Sequence, residues 1–113
     1  MASDPWVVVQ LEGAEVTILL GDNDDPETVE NVDVEVKCVD GTRWSATVLT
    51  LTEIDRVMAH YAATGECLDG RYFHCWDLLI TRSGGISEIV QVVHDLLRND
   101  QLRWVLKRLE GEE

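Results

Sequence analysis

Apolar and polar residues alternate through the first half of the chain and then switch to helical spacing. Trp6-Val7-Val8-Val9-Gln10-Leu11 is short and β-branched and reads as a strand. Glu12-Gly13-Ala14 supplies a turn, and Glu15-Val16-Thr17-Ile18-Leu19-Leu20 reads as the returning strand. Gly21 to Asn31 is rich in Asp and Asn and contains Pro26, which is loop chemistry. From Val32 to Cys38 the alternation is strict. Val32, Val34, Val36 and Cys38 fall on one side, and Asp33, Glu35 and Lys37 on the other. Arg43 to Leu49 alternates too, with Trp44, Ala46 and Val48 on its apolar side.

These last two strands can be given a register. Residues opposite one another in a hairpin share a face, so Val36 belongs opposite Trp44 and Val34 opposite Ala46. A two-residue Asp40-Gly41 loop would put Trp44 on the charged side instead. A three-residue Val39-Asp40-Gly41 loop, with Gly41 left-handed in a bulge, satisfies the pattern.

Thr50 and Thr52 are both candidate caps for the first helix, and Thr50 with Glu53 makes a capping box. Ile54, Val57, Met58 and Tyr61 follow at helical spacing, and Gly65 is a natural stop. Glu66 to Arg71 reads as a loop. Tyr72 to Arg82 is apolar on both faces, which predicts a covered, central strand. Ser83-Gly84-Gly85 breaks the chain before a helix from Ile86 to Arg98, whose buried stripe is Ile86, Ile89, Val90, Val93, Leu96 and Leu97. Asn99 or Asp100 is expected to cap a last short helix with Leu102, Val105, Leu106 and Leu109 inward. Its bases Arg103, Lys107 and Arg108 would offset the negative end of the helix dipole. The order ββββαβαα predicts an α+β fold: a mostly antiparallel sheet of about five strands with helices packed on one face, in a single domain spanning 1–113.

Composition narrows the class. Hydrophobic residues make up 45% of the 113, including four tryptophans, which argues for a packed core and against disorder. No apolar run approaches the roughly 18 residues that span a bilayer. Met1-Ala2-Ser3-Asp4-Pro5 has neither a basic region nor a cleavage pattern, so no secretory signal is expected. The three cysteines, Cys38, Cys67 and Cys75, are an odd number without paired spacing, which suits a reducing compartment. The expectation is a cytoplasmic protein.

Charge changes the picture more. The formal net charge is -13, and nearly all of it is local. Ten acids precede Lys37, the first base: Asp4, Glu12, Glu15, Asp22, Asp24, Asp25, Glu27, Glu30, Asp33 and Glu35. The remainder holds twelve acids against nine bases. A field of this kind repels nucleic acid and anionic membranes and attracts cationic surfaces. Plain solubility explains the same charge without a partner.

Motifs for chemistry are sparse. Cys67, His74 and Cys75 lack zinc-ligand spacing, and neighbours on a strand point to opposite faces. A Cys67 nucleophile would need His60 or His74 beside it in space. The run Asp22-Asn23-Asp24-Asp25-Pro26-Glu27 begins like a calcium loop, but Pro26 takes a ligand position and Glu27 the slot that needs Gly. Ser83-Gly84-Gly85 opens a helix without a phosphate-binding signature or a following Lys. Asp77 lies amid apolar residues, so it needs a hydrogen-bonding partner, and structural pairing with an arginine such as Arg71 or Arg82 is weighed above a catalytic role. No catalytic residue, metal or cofactor is assigned.

The stretch Asp40-Gly41-x-x-Trp44-x-Ala46-Thr47, then Thr50-Leu51-Thr52-Glu53-Ile54, then Thr64-Gly65-Glu66-Cys67-Leu68-x-Gly70-x-Tyr72-Phe73 resembles a group of small uncharacterised bacterial proteins. In size and acidity the whole chain is also similar to immunity proteins of bacterial toxin systems. That second resemblance implies a protein that binds a cognate toxin tightly and carries no chemistry.

The functional expectation is therefore an immunity- or antitoxin-like binding protein that docks an acidic face on a basic protein, such as a toxin nuclease. Asp22, Asp24, Asp25, Glu27 and Glu30 would steer the partner, and Asp33 and Glu35 would extend their charge along a strand. The alternatives are a small metal- or thiol-dependent enzyme built around Cys67, His60, His74 and Asp77, and a structural or regulatory subunit forming a homodimer through a sheet edge.

Overall fold

Four strands come first along the chain, each with one apolar face to bury. In the computed structural model, which describes residues 6–21 and 24–109, these are β1 (Trp6–Leu11), β2 (Ala14–Leu19), β3 (Asn31–Cys38) and β4 (Arg43–Thr50). They pair in sequence order, each antiparallel to the last. Val36 lies opposite Trp44 and Val34 opposite Ala46. The three-residue loop is also present: Cys38 N–H donates to the Thr42 carbonyl at 2.8 Å, and Gly41 has φ +90°.

The helical half follows. Thr50 caps α1 (Leu51–Thr64), its Oγ1 accepting from the Glu53 N–H at 3.0 Å. Only half of the capping box forms, because Thr50 N–H donates to the Glu30 carbonyl and the Glu53 carboxylate takes Asn31 and Arg56. Gly65 ends α1, its N–H donating to the Tyr61 carbonyl at 2.8 Å. A five-residue turn, α2 (Glu66–Gly70), reverses the chain with Cys67, Leu68 and Asp69 all left-handed. The return segment packs on α1, where Phe73 stacks on Tyr61. After β5 (Leu78–Thr81) comes α3 (Ile86–Arg98), as its spacing predicts, then α4 (Leu102–Val105) and β6 (Lys107–Leu109).

The fold is α+β, with a mostly antiparallel sheet of six strands and four helical elements. The core lies on one face of the sheet. Val16, Ile18, Val34, Val36, Ala46 and Val48 meet Ile89 and Val93 of α3, and Leu102 and Leu106 cover the end of the layer. None of the helices among the described residues is long and apolar enough to cross a membrane.

Four expectations fail, each for a tertiary reason. Tyr72–Arg82 is not a central strand. Only Leu78–Thr81 pairs, parallel to β4 at Thr47–Thr50, and Ile80 stays exposed at the sheet margin. The Asp77 carbonyl still accepts from the Thr47 N–H at 3.0 Å, but the edge of β4 beyond it, Arg43–Ser45, is taken by β6. The last helix stops at Val105, because Lys107–Leu109 gain that pairing. Lys107 and Arg108 consequently leave the helix terminus, and lie over the Trp76 and Trp44 rings at 5.2 and 5.9 Å. Neither Asn99 nor Asp100 caps α4: the Asn99 amide turns back to Asp95, and the Asp100 carboxylate takes Arg103 at 2.6 Å. Among the described residues Asp77 pairs with no arginine. It accepts from Ser45 Oγ at 3.0 Å, with Cys75 Sγ at 3.7 Å.

Candidate partner-binding surface

The loop between β2 and β3 carries most of the predicted steering acids, and its shape is set by backbone bonds to α3. Gly85 N–H donates to the Val29 carbonyl and Ile86 N–H to the Pro26 carbonyl, both at 2.8 Å. These donors belong to a helix N-terminus, where carbonyls and acidic side chains are favoured. Val29 is buried in the core and anchors the loop. The glycines of Ser83-Gly84-Gly85 thus admit protein carbonyls: a Cβ at Gly84 would lie 2.6 Å from the Val29 oxygen and 2.7 Å from that of Thr28.

This clamp separates the predicted steering residues. Asp22 lies outside the described residues. Asp24 accepts from Gly21 N–H at 2.6 Å and Asp25 from Glu27 N–H at 2.9 Å, so both carboxylates shape the loop and remain exposed. Glu27 is exposed, with its backbone against Gly85. Glu30 is half-buried and accepts from Thr50 Oγ1 at 2.7 Å. Asp24, Asp25, Glu30 and Glu53 line an open groove of about 270 Å³ together with Asn31 and Arg56. Arg56 pairs with Glu53 there, and Arg71, Arg82 and Arg98 form no ion pair among the described residues.

Asp33 and Glu35 continue from that groove along β3, on the sheet face opposite the core. The registers fix their neighbours. Across one row lie Trp6, Leu19, Asp33, Thr47 and Leu78; across the next lie Val8, Thr17, Glu35 and Ser45. Trp6, Val8 and Leu19 are 46%, 46% and 42% exposed. An apolar corner therefore abuts two carboxylates on an open sheet face. Thr47 Oγ1 donates to Asp33 at 2.9 Å, Arg43 stands 3.7 Å from Glu35, and Asp77 adds a third carboxylate beside Ser45. Leu19, Asp33, Glu35, Ser45 and Asp77 border a shallow cleft of about 260 Å³.

The apolar corner was legible in part. The polar alternation of Glu15 and Thr17 marks that face as the outer one, but the hairpin closes with a two-residue Glu12-Gly13 turn and not the expected Glu12-Gly13-Ala14, because Ala14 joins β2 opposite Leu11; this is what pairs Trp6 with Leu19 and Val8 with Thr17. Arg43, Ser45 and Asp77 join it through pairings between distant strands, which no local pattern shows.

The residues of the rival chemical readings lie on α1, on the turn after it and on the segment leading into β5. Among the described residues no group of three or more His, Cys, Asp or Glu side chains is placed to hold a metal ion. His60 lies beside Tyr61, Cys67 is in the left-handed turn, and Cys75 contacts Asp77. Comparison of the chain with family models, curated proteins and solved structures finds no match in any of the three.

Proposed function

We propose that this chain is a cytoplasmic binding protein of immunity or antitoxin type, whose open sheet face captures a basic protein partner such as a toxin domain. The observation that carries the reading is that exposed Trp6, Val8 and Leu19 share one sheet face with Asp33 and Glu35, Leu19 lying directly opposite Asp33. The two halves of that face do different work. Carboxylates on the exposed face and in the adjoining groove raise the encounter rate with a cation. The apolar corner supplies affinity: burying the exposed part of Trp6, roughly 100 Å², is worth about 2 kcal/mol. Three free cysteines suit a reducing compartment.

The test begins with the immobilised chain and host lysate, comparing wild type with a variant carrying Asp24→Asn, Asp25→Asn, Asp33→Asn and Glu35→Gln. A specific partner should be basic and retained by wild type alone. With that partner purified, the four changes should slow association by roughly tenfold at low salt and flatten its salt dependence. Trp6→Ala should chiefly accelerate dissociation. Association that ignores both ionic strength and the four charges would refute the reading.

A further inference from the structure

The outer edge of β1 differs from every other strand margin of the sheet. Strand edges are ordinarily blunted by charge, proline, a bulge or shortness, since their free N–H and C=O groups invite pairing. At the opposite margin β5 is only four residues long and is flanked by Asp77 and Arg82. The second edge of β4 is closed by β5 and β6. Between its flanking Pro5 and Glu12, β1 has none of these devices: it is six residues long, carries no charge, and pairs with β2 without a bulge. Among the described residues nothing pairs with its outer edge.

The hairpin geometry gives the direction of the free groups. Leu11 and Ala14 close the two-residue turn as a hydrogen-bonded pair, and bonding alternates from there. Val7, Val9 and Leu11 therefore bond to β2, while Trp6, Val8 and Gln10 turn their N–H and C=O groups outward.

We propose that β1 pairs antiparallel with β1 of a second copy about a two-fold axis through Val8, joining two sheets into one. In that register Val8 meets Val8 of the copy, and Trp6 meets Gln10 in both directions. Each of these pairs joins residues whose free groups face one another, so all the outward N–H and C=O groups of both strands are satisfied. No like charges meet within the pairing, although each chain carries a net charge of -13. A one-residue slip would oppose inward-bonded residues and leave the free groups unmatched. The open face is not covered by this contact; it is doubled, with the two Trp6 corners adjoining. The inference stands independently of the partner proposed above.

Sedimentation equilibrium of the full chain tests it. Wild type and Val8→Thr should be dimers. Val8→Lys, which sets two like charges opposite each other, should be a monomer with an unchanged far-ultraviolet circular dichroism spectrum. The dimer should tighten as ionic strength rises, because salt screens repulsion between the copies. This is opposite to the salt dependence of a basic partner. Val8→Cys provides a check independent of Val8→Lys folding: paired Cα atoms about 5.5 Å apart permit a disulfide, which peptide mass mapping should find between the two position-8 cysteines. A monomeric wild type overturns the proposal, as does a Val8→Lys protein that remains dimeric, or an oxidised Val8→Cys dimer without the 8–8 link.

Discussion

Gly85→Ala should release the acidic loop from α3, and its cost can be worked out from the contacts. Gly85 has φ +101° and ψ 152°, a region essentially closed to other residues and costing about 1–3 kcal/mol. An added Cβ would also lie inside the van der Waals boundary of the Glu27 carbonyl oxygen, so the loop must move. Movement threatens the bonds from Gly85 to Val29 and from Ile86 to Pro26, each worth about 1 kcal/mol net. The total is about 3–5 kcal/mol, a large part of the 5–15 kcal/mol typical of a domain. Gly41→Ala is the internal control: φ is also positive, at +90°, but nothing lies within 4 Å of its added Cβ. It should lose only the conformational term, about 1 kcal/mol. Urea unfolding at equal m-value measures both. Hydrogen exchange at Gly85 and Ile86 should accelerate in Gly85→Ala alone. If the two variants lose equal stability, the loop is not held by α3 and the clamp argument is wrong.

Two further outcomes follow from local geometry. Thr42 donates both its N–H and its hydroxyl to Asp40 Oδ1, at 2.9 and 2.6 Å, and these bonds hold the Asp40 carboxyl below its ordinary value of 3.8. A depressed folded value means the contribution is present above the unfolded pKa and is lost as pH falls through the folded one. The urea midpoints of wild type and Asp40→Asn should therefore differ at neutral pH and converge as pH falls through the lowered folded-state value; a gap that widens in acid would contradict this. Leu68 is left-handed and 67% exposed, so it pays a conformational cost with little burial in return. Leu68→Gly should raise stability by about 1 kcal/mol in thermal or urea unfolding, and a loss of that size would show that Leu68 packs.

Local chemistry made much of the architecture readable. The alternation of Val32, Val34 and Val36 with Asp33 and Glu35 determined which face of β3 is buried, and the need to keep Trp44 beside Val36 determined the loop of the third hairpin. Thr50, Gly65 and the spacing from Ile86 to Arg98 set helix limits, because caps and stripes are properties of neighbouring residues. The location of negative charge on β3 was readable for the same reason. What the chain does as a strand or helix depended on tertiary structure wherever two segments competed for one partner. Leu78–Thr81 and Lys107–Leu109 both take the second edge of β4, at Thr47–Thr50 and Arg43–Ser45, and a backbone edge can bond only one strand at each position. The same applies to the acids: loop residues Asp24 to Glu30 look alike in sequence, yet anchoring on Gly85 and Thr50 leaves Asp24 and Asp25 shaping the loop and commits Glu30 to a hydrogen bond. Whether a carboxylate faces a partner or its own fold depends on which distant donors arrive beside it, and only the assembled chain brings them there.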